Sequence, residues 1–87
     1  MMKIVEVSEN EEGLKSLLGQ KVLLFCLNYI YAGTLAGVND YCVLLTDPHI
    51  VYDTGAFSQS VYKDAQALHV KQWYVNRSAI ESFGVGK

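Results

Sequence analysis

The chain has 87 residues, a formal net charge of −2 at pH 7 and a sequence pI of about 5.5. This length excludes more than one domain, so residues 1–87 are predicted to form a single domain. The overall charge gives no support for nucleic-acid binding. Hydrophobic residues make up 51% and charged residues 18%, whereas an average globular domain is roughly 25% charged. The apolar excess predicts a subunit interface, with an aromatic-rich monomer as the alternative.

The acidic excess lies at the beginning of the chain. Residues 1–12 hold four glutamates and one lysine, whereas residues 13–87 hold six cations and five acids. A locally basic site therefore remains compatible with the composition, because electrostatic steering depends on where charges lie. The sequence has no signal-peptide pattern and no apolar run of about 18 residues. It predicts a cytoplasmic protein that makes no membrane contact.

The first 20 residues are predicted to form a short strand and then an α-helix. Residues 3–7 are short and β-branched, which favours a strand. Ser8 and Glu11 have the spacing of a capping box, which marks the start of a helix. Gly19 is placed to end that helix. The apolar stripe of the helix is Leu14, Leu17 and Leu18.

Five strands are predicted after the helix. The first is apolar on both alternating faces, which indicates that both faces are covered. Gly33 lies within the second strand, where a missing side chain permits the sharp bend by which a short sheet closes on itself. The five strands span residues 21–27, 30–38, 41–46, 68–75 and 79–83.

Turn formers and one proline set the limits of the middle strands. Asn39 and Asp40 are typical of a tight turn, since their side chains bond their own backbone. Pro48 interrupts the third strand, and residues 49–53 resume it as an edge segment, where proline is tolerated. Residues 54–67 are rich in Gly, Ser, Gln, Asp and Ala and are interpreted as an excursion between the third and fourth strands.

Residues 31–47 resemble the first signature of the Sm, Lsm and Hfq proteins, in the pattern Gly33, Leu35, Gly37, Asn39, Tyr41, Leu44 and Asp47. The strongest part of the whole resemblance is residues 19–47. The predicted order of one helix followed by five strands also matches this family, so the resemblance extends over residues 9–83. It implies a mainly β protein with an Sm-like fold, in which an N-terminal α-helix precedes a strongly bent, five-stranded, antiparallel SH3-like barrel. The matching residues are Gly19, Val22, Leu24, Gly33, Leu35, Gly37, Leu44 and Asp47.

The same resemblance implies an RNA pocket that is built from two loops facing the pore of a ring. The first loop here is Asn39, Asp40 and Tyr41. Tyr41 matches the base-stacking position, and Asn39 replaces the usual aspartate. Val43 replaces the asparagine that hydrogen-bonds the base edge. We therefore expect stacking to remain and base-specific readout through that asparagine to be lost.

The second loop of the family has an arginine followed by a glycine. Asn76 occupies the arginine position here and Arg77 the glycine position, so the cation is displaced by one residue. In the competing interpretation these side chains serve structure alone. Tyr41 would then pack on Tyr31 or Tyr29, and Arg77 would pair with Asp40 or Glu81. Trp73 is interpreted as a core or interface residue rather than a ligand platform.

No catalytic motif is found in the sequence. His49 and His69 have no cysteine or serine at motif spacing, and the common hydrolase, metalloprotease and phosphate-loop motifs do not occur. The sequence therefore predicts no enzyme, no metal and no cofactor. Cys26 and Cys42 are interpreted as buried free thiols, although their spacing leaves a disulfide open. Three aspartates are interpreted as turn residues rather than metal ligands, namely Asp47, Asp53 and Asp64.

We expect a cyclic homo-oligomer of about five to seven subunits, with the smaller numbers favoured. The ring would close by pairing of the fourth strand of one subunit with the fifth strand of the next. The predicted function is weak binding of single-stranded RNA, U-rich or A-rich, with little sequence specificity, at the pore. The residues predicted to contact RNA are Asn39, Asp40, Tyr41, Asn76 and Arg77. The alternative is a protein-interaction or structural ring that has lost RNA binding.

Overall fold

A computed structural model describes residues 13–87. The predicted strand over residues 3–7 and the capping box of Ser8 and Glu11 lie outside the described residues. The strands are β1 (Lys21–Cys26), β2 (Ile30–Val38), β3 (Cys42–Asp53), β4 (Asp64–Ala67), β5 (Gln72–Asn76) and β6 (Ile80–Val85). Two 3-10 helices span Gly13–Leu17 and Arg77–Ala79.

The segment before β1 is a single 3-10 helix, so the prediction of an α-helix is wrong for the described residues. Gly13 has a φ of 44°, which lies in the left-handed region rather than the right-handed one that an α-helix needs. Gly19, with a φ of 86°, follows this helix as predicted. Leu14 is buried in the core. Within residues 13–87 no helix is long and apolar enough to cross a membrane.

The six strands form one antiparallel sheet in the order β4-β3-β2-β1-β6, with β5 also paired to β3. The mainly β, antiparallel part of the fold prediction is therefore confirmed. β3 is long enough to hold two partners on the edge opposite β2. Residues 42–46 pair with β5, and residues 49–53 pair with β4.

The number of strands in the described residues is six rather than the predicted five. Residues 54–67 were expected to be an excursion, but β4 lies at their end, because β3 continues beyond Pro48 and presents an open edge there. The predicted fourth strand begins four residues late, at Gln72. His69 explains the delay, since its φ of 56° breaks the extended backbone between β4 and β5.

Pro48 lies at a bend within β3 rather than at its end. The pairing of β2 with β3 shifts between Ala32 and Thr34, so that two residues of β3 oppose Gly33 alone. A Cβ added at Gly33 would lie 2.9 Å from the backbone oxygen of Thr46. The prediction that Gly33 permits a close bend is consistent with this crowding.

Apolar side chains cover both faces of β1. Val22 and Leu24 belong to the main core, and Leu23, between them, belongs to a second cluster on the opposite face. The prediction that β1 is covered on both sides is confirmed. The main core consists of Leu14, Val22, Leu24, Leu35, Val43, Leu45 and Val75. The second cluster consists of Leu23, Ala32 and Val51, with Phe25, Ile30 and Tyr62 packed against it.

Candidate nucleic-acid interface

The two loops that were predicted to form the RNA pocket lie side by side. β3 pairs with both β2 and β5, which places Cys42 opposite Asn76. The backbone N–H of Arg77 donates to the backbone oxygen of Tyr41 across 2.9 Å. The turn after β2 and the turn after β5 therefore meet at one end of β3, although 35 residues or more of sequence separate Asn76 from the first turn's residues 39–41.

Asn39 organises the first turn. Its Oδ1 accepts from the backbone N–H of Tyr41 at 2.7 Å and from that of Cys42 at 2.8 Å. Its own N–H donates to the backbone oxygen of Cys42 at 3.0 Å. An Asn side chain that bonds the backbone two and three residues on is the usual device of such turns. Oδ1 of Asn39 thus holds Tyr41 in place, and the amide nitrogen carries its remaining donors.

Arg77 joins the two turns through its side chain. Its Nη1 donates to the backbone oxygen of Asn39 at 2.8 Å, and the residue is exposed. Among residues 13–87 the guanidinium forms no ion pair with Asp40 or Glu81, so the competing interpretation of Arg77 does not hold there. A guanidinium has five N–H donors, and one backbone carbonyl leaves most of them for an external acceptor.

Tyr41 projects from the first turn with 81% of its surface exposed. The competing interpretation, that it packs on another tyrosine, is wrong in the described residues. Tyr29 and Tyr31 instead pack on each other, with ring centroids 6.2 Å apart and ring planes tilted by 56°. An exposed aromatic ring is a surface on which a nucleic-acid base can stack.

Asp40 and Asn76 complete the predicted set, and both are exposed. Asn76 ends β5 and precedes the second 3-10 helix, and its side chain makes no capping hydrogen bond there. Asp40 contributes the negative charge of the first turn. Because Asp40 neighbours Tyr41 in the chain, its carboxylate lowers the attraction that one subunit exerts on a phosphate there.

Val43 and Trp73 lie inward from these turns. Val43 is fully buried in the core, so its side chain has no access to a ligand. Trp73 is half-buried and packs against the same core, which agrees with its interpretation as a core or interface residue. The exposed turn therefore has a stacking surface and hydrogen-bond donors but no side chain at position 43 to read a base edge.

The two strands expected to meet between subunits each have one pairing partner within residues 13–87. β5 pairs with β3, and β6 pairs with β1. Tyr74 of β5 and Phe83 and Val85 of β6 are exposed apolar residues on these strands. Unpaired backbone groups and exposed apolar side chains on one strand are features of a surface that another chain covers.

The cysteines, histidines and acids of the described residues are dispersed. Cys26 and Cys42 are half-buried free thiols, and burial raises the pKa of Cys26 above its ordinary value. Within residues 13–87 no group of three His, Cys, Asp or Glu residues comes close enough to hold a metal ion. Asp47 has a φ of 52° at the bend of β3, which agrees with its interpretation as a turn residue.

One structural feature was missed by sequence reasoning. Lys87 and the segment after β3 form a cluster of contacts that no motif predicted.

In a comparison with known protein families, no family model matches the chain. No curated protein matches it in sequence either. The interpretation of the site rests on the geometry of the two turns and on the resemblance of their residues.

Proposed function

We propose that the chain is the subunit of an Sm-like homo-oligomeric ring that binds single-stranded RNA weakly and with little sequence preference. The observation that carries this proposal is the meeting of the two turns. Tyr41 is exposed there, and Arg77 bridges to Asn39 beside it. Both residue types serve RNA recognition, the aromatic by stacking and the guanidinium by binding phosphate or stacking on a base.

Ring formation is supported by the two edges of the sheet. β5 and β6 are the fourth and fifth strands of the barrel that the resemblance implies, once the short β4 is set aside. Each has one partner among the described residues. Pairing β5 of one subunit with β6 of the next would satisfy both edges and cover Tyr74 and Phe83. Closed cyclic symmetry then prevents endless growth.

A ring also changes the electrostatics of the site. One subunit places Arg77 and Asp40 near each other, which makes a nearly neutral surface. Repetition around a pore brings several guanidinium groups close to the phosphates of one RNA strand, so that contacts too weak singly act together. Stacking on each Tyr41 contributes about 1 to 3 kcal/mol. Because Val43 is buried, we expect little discrimination between bases.

The oligomeric state is the first test. Light scattering of the purified protein is expected to give a mass of several subunits, and the mass of a monomer would reject the ring. Replacing Tyr74 by Arg places a charge on the β5 edge and is expected to lower the measured mass. Tyr52→Arg is the matched control, since Tyr52 is also exposed but lies on β3 beside β4.

The second test is binding of labelled oligonucleotides at low salt, measured by fluorescence anisotropy with U-rich and A-rich strands. Tyr41→Ala and Arg77→Ala are expected to weaken binding several-fold each. Tyr52→Ala and Lys71→Ala are the matched controls, because both residues are exposed and lie away from the two turns. Equal binding by all four variants would reject this pocket.

A protein-interaction or structural ring is the second candidate function. The presence of Asp40 next to Tyr41 favours it, since a carboxylate repels phosphate. Apolar exposure of Tyr41 would then serve a protein partner. An assembled ring that binds neither oligonucleotide at low salt would favour this candidate over RNA binding.

A further inference from the structure

The segment between β3 and β4 encloses the ammonium group of Lys87. This segment, residues 54–63, is called the β3–β4 loop. The Nζ of Lys87 donates to three backbone oxygens, those of Thr54 at 2.7 Å, Ala56 at 3.0 Å and Val61 at 3.2 Å. A primary ammonium has three N–H donors, so the three carbonyl groups match its full hydrogen-bonding capacity.

Two aromatic rings flank the ammonium group, and that of Phe57 is itself largely exposed. The Nζ of Lys87 lies 5.5 Å from the ring centroid of Phe57 and 5.2 Å from that of Tyr62. Both distances are within the range in which a cation is attracted to an aromatic face. The hydroxyl of Tyr62 also accepts from the backbone N–H of Lys87 at 3.0 Å. Within residues 13–87 Lys87 has no carboxylate partner, because the ion pair found there joins Lys63 to Asp53.

The loop also has hydrogen bonds of its own that do not involve Lys87. The N–H of Gly55 donates to Oδ1 of Asp53 at 2.9 Å, and the N–H of Gln59 donates to the oxygen of Ala56 at 3.0 Å. Gly55 has a φ of 70°, a conformation that glycine adopts at little cost. These bonds place the acceptors before an ammonium arrives, and such preorganisation lowers the cost of binding.

A pocket of about 260 Å³ adjoins the enclosure, between the β3–β4 loop and the sheet. Its apolar lining includes Val22, Ala32 and Val61, and its charged lining includes Lys21, Asp47 and Lys87. The stem of an alkylammonium therefore has partly apolar space beside Val61, whose carbonyl group is one of the three acceptors. This combination of apolar space and a few convergent polar atoms is typical of a small-molecule site.

We propose that the β3–β4 loop is a binding site for primary alkylammonium groups and that Lys87 is its tethered occupant. The neutral acceptors select for N–H donors, and the rings select for positive charge. A quaternary ammonium satisfies the rings but leaves the three carbonyl groups without donors. A tethered lysine has an effective concentration on the order of millimolar or more, so an external ammonium competes poorly until Lys87 is removed.

The experiment is chemical rescue of Lys87→Ala with n-butylammonium chloride, followed by amide hydrogen exchange of the β3–β4 loop. Removal of Lys87 is expected to speed exchange of the loop amides on the order of tenfold, as the loss of about one charge-assisted hydrogen bond predicts. Tens of millimolar n-butylammonium are expected to restore most of the protection. The wild-type protein is expected to show no change at the same concentration.

Two salts and two further variants make the result specific. Sodium chloride and tetramethylammonium chloride at equal ionic strength are expected to give no rescue. Lys63→Ala removes another lysine of the same loop and is expected to leave the protection of residues 54–62 within about twofold of the wild type. In the double variant that also carries Phe57→Ala, rescue by n-butylammonium is expected to weaken several-fold.

Unchanged exchange in Lys87→Ala would overturn the proposal, as would equal rescue by tetramethylammonium. If Lys87→Ala loses its fold by circular dichroism, Lys87→Met is titrated in its place, since Met keeps the length and apolar stem of the side chain. Binding of n-butylammonium is measured by the chemical-shift change at Gly55. If it binds neither Lys87→Ala nor Lys87→Met, the proposal is equally overturned.

Discussion

Arg77 and Lys87 both donate to backbone carbonyl groups of a turn distant in sequence, but they differ in how many of their donors are used. Nη1 of Arg77 contacts one carbonyl and the residue is exposed, whereas the ammonium of Lys87 contacts three carbonyl groups and two rings. A cation whose donors are all used stabilises its own chain. A cation with donors remaining is placed to bind another molecule.

The surroundings of the two cations differ in the same sense. Beside Arg77 the aromatic residue Tyr41 projects into solvent, and beside Lys87 the rings of Phe57 and Tyr62 face the ammonium. In the two turns the cation and the aromatic residue are therefore both exposed to solvent. In the β3–β4 loop the cation already contacts the aromatic rings. This contrast favours the two turns over the β3–β4 loop as the site of the proposed RNA contact.

The largest expected effect comes from a change that damages both regions at once. Leu45 is fully buried in β3, between the end that carries the two turns and the end that leads to the β3–β4 loop. Leu45→Ala should lower the free energy of unfolding by about 2 to 5 kcal/mol, because it removes buried methyl groups and leaves a cavity. Urea denaturation followed by circular dichroism measures this. A loss below 1 kcal/mol would contradict the central position of Leu45.

The direct comparison of the two cations gives the next largest effect. Lys87→Ala should lower the free energy of unfolding by about 1 to 2 kcal/mol, since charge-assisted hydrogen bonds are lost. Arg77→Ala should stay within about 0.5 kcal/mol of the wild type, as is usual for an exposed side chain. Urea denaturation at equal protein concentration measures both variants. Equal losses in the two would remove the distinction between them.

Substitutions at Asn39 test whether the position of Tyr41, and not only its presence, matters for the proposed RNA binding. Asn39→Ala removes the acceptor of two backbone N–H groups and should lower the free energy of unfolding by about 1 kcal/mol. Asn39→Asp keeps an acceptor in the same position and should lose less than half of that. The two variants are compared by thermal unfolding. RNA affinity should fall in Asn39→Ala even though Tyr41 and Arg77 are both present.

The smallest expected effect concerns pH and the β1–β2 hairpin. Burial raises the pKa of Cys26 and of Tyr31. Nearby Cys26 and Tyr29 raise the pKa of Tyr31 further, whereas a hydrogen bond with Trp73 lowers it. Both groups stay neutral in the folded protein at pH values where the unfolded chain has begun to lose these protons. Stability should thus be constant near neutral pH and decline above about pH 9.

Urea denaturation between pH 7 and pH 10.5 tests this pH dependence. Cys26→Ala and Tyr31→Phe should each reduce the alkaline decline, because each removes one of the two groups. The effect is modest, since both side chains are only half-buried. A decline of equal size in both variants and in the wild type would assign the pH dependence to other groups.

Local chemistry determined the parts of the fold that sequence reasoning predicted best. β2 has the predicted bounds and β1 differs from its prediction by one residue, because apolar residues on both faces favour an extended, covered strand. The turn at Asn39 follows from its side chain bonding its own backbone. These features depend on neighbours only a few residues away.

Tertiary context decided the parts that sequence reasoning missed. Residues 64–67 have low strand propensity and form β4 because the edge of β3 beyond Pro48 is available to them. Gly13, with its left-handed backbone, begins a 3-10 helix where an α-helix was predicted. In both places a long-range partner or a single backbone angle outweighed a local pattern.

The sequence by itself determined a small antiparallel β protein, its apolar excess, and the identity of the residues in the two turns. Only the tertiary structure decided that Arg77 reaches the backbone of Asn39, that Tyr41 is exposed rather than packed, and that Lys87 occupies the β3–β4 loop. The physical reason is that hydrogen-bond capacity belongs to each residue type, whereas the partner that uses it is set by which distant segments the sheet brings together.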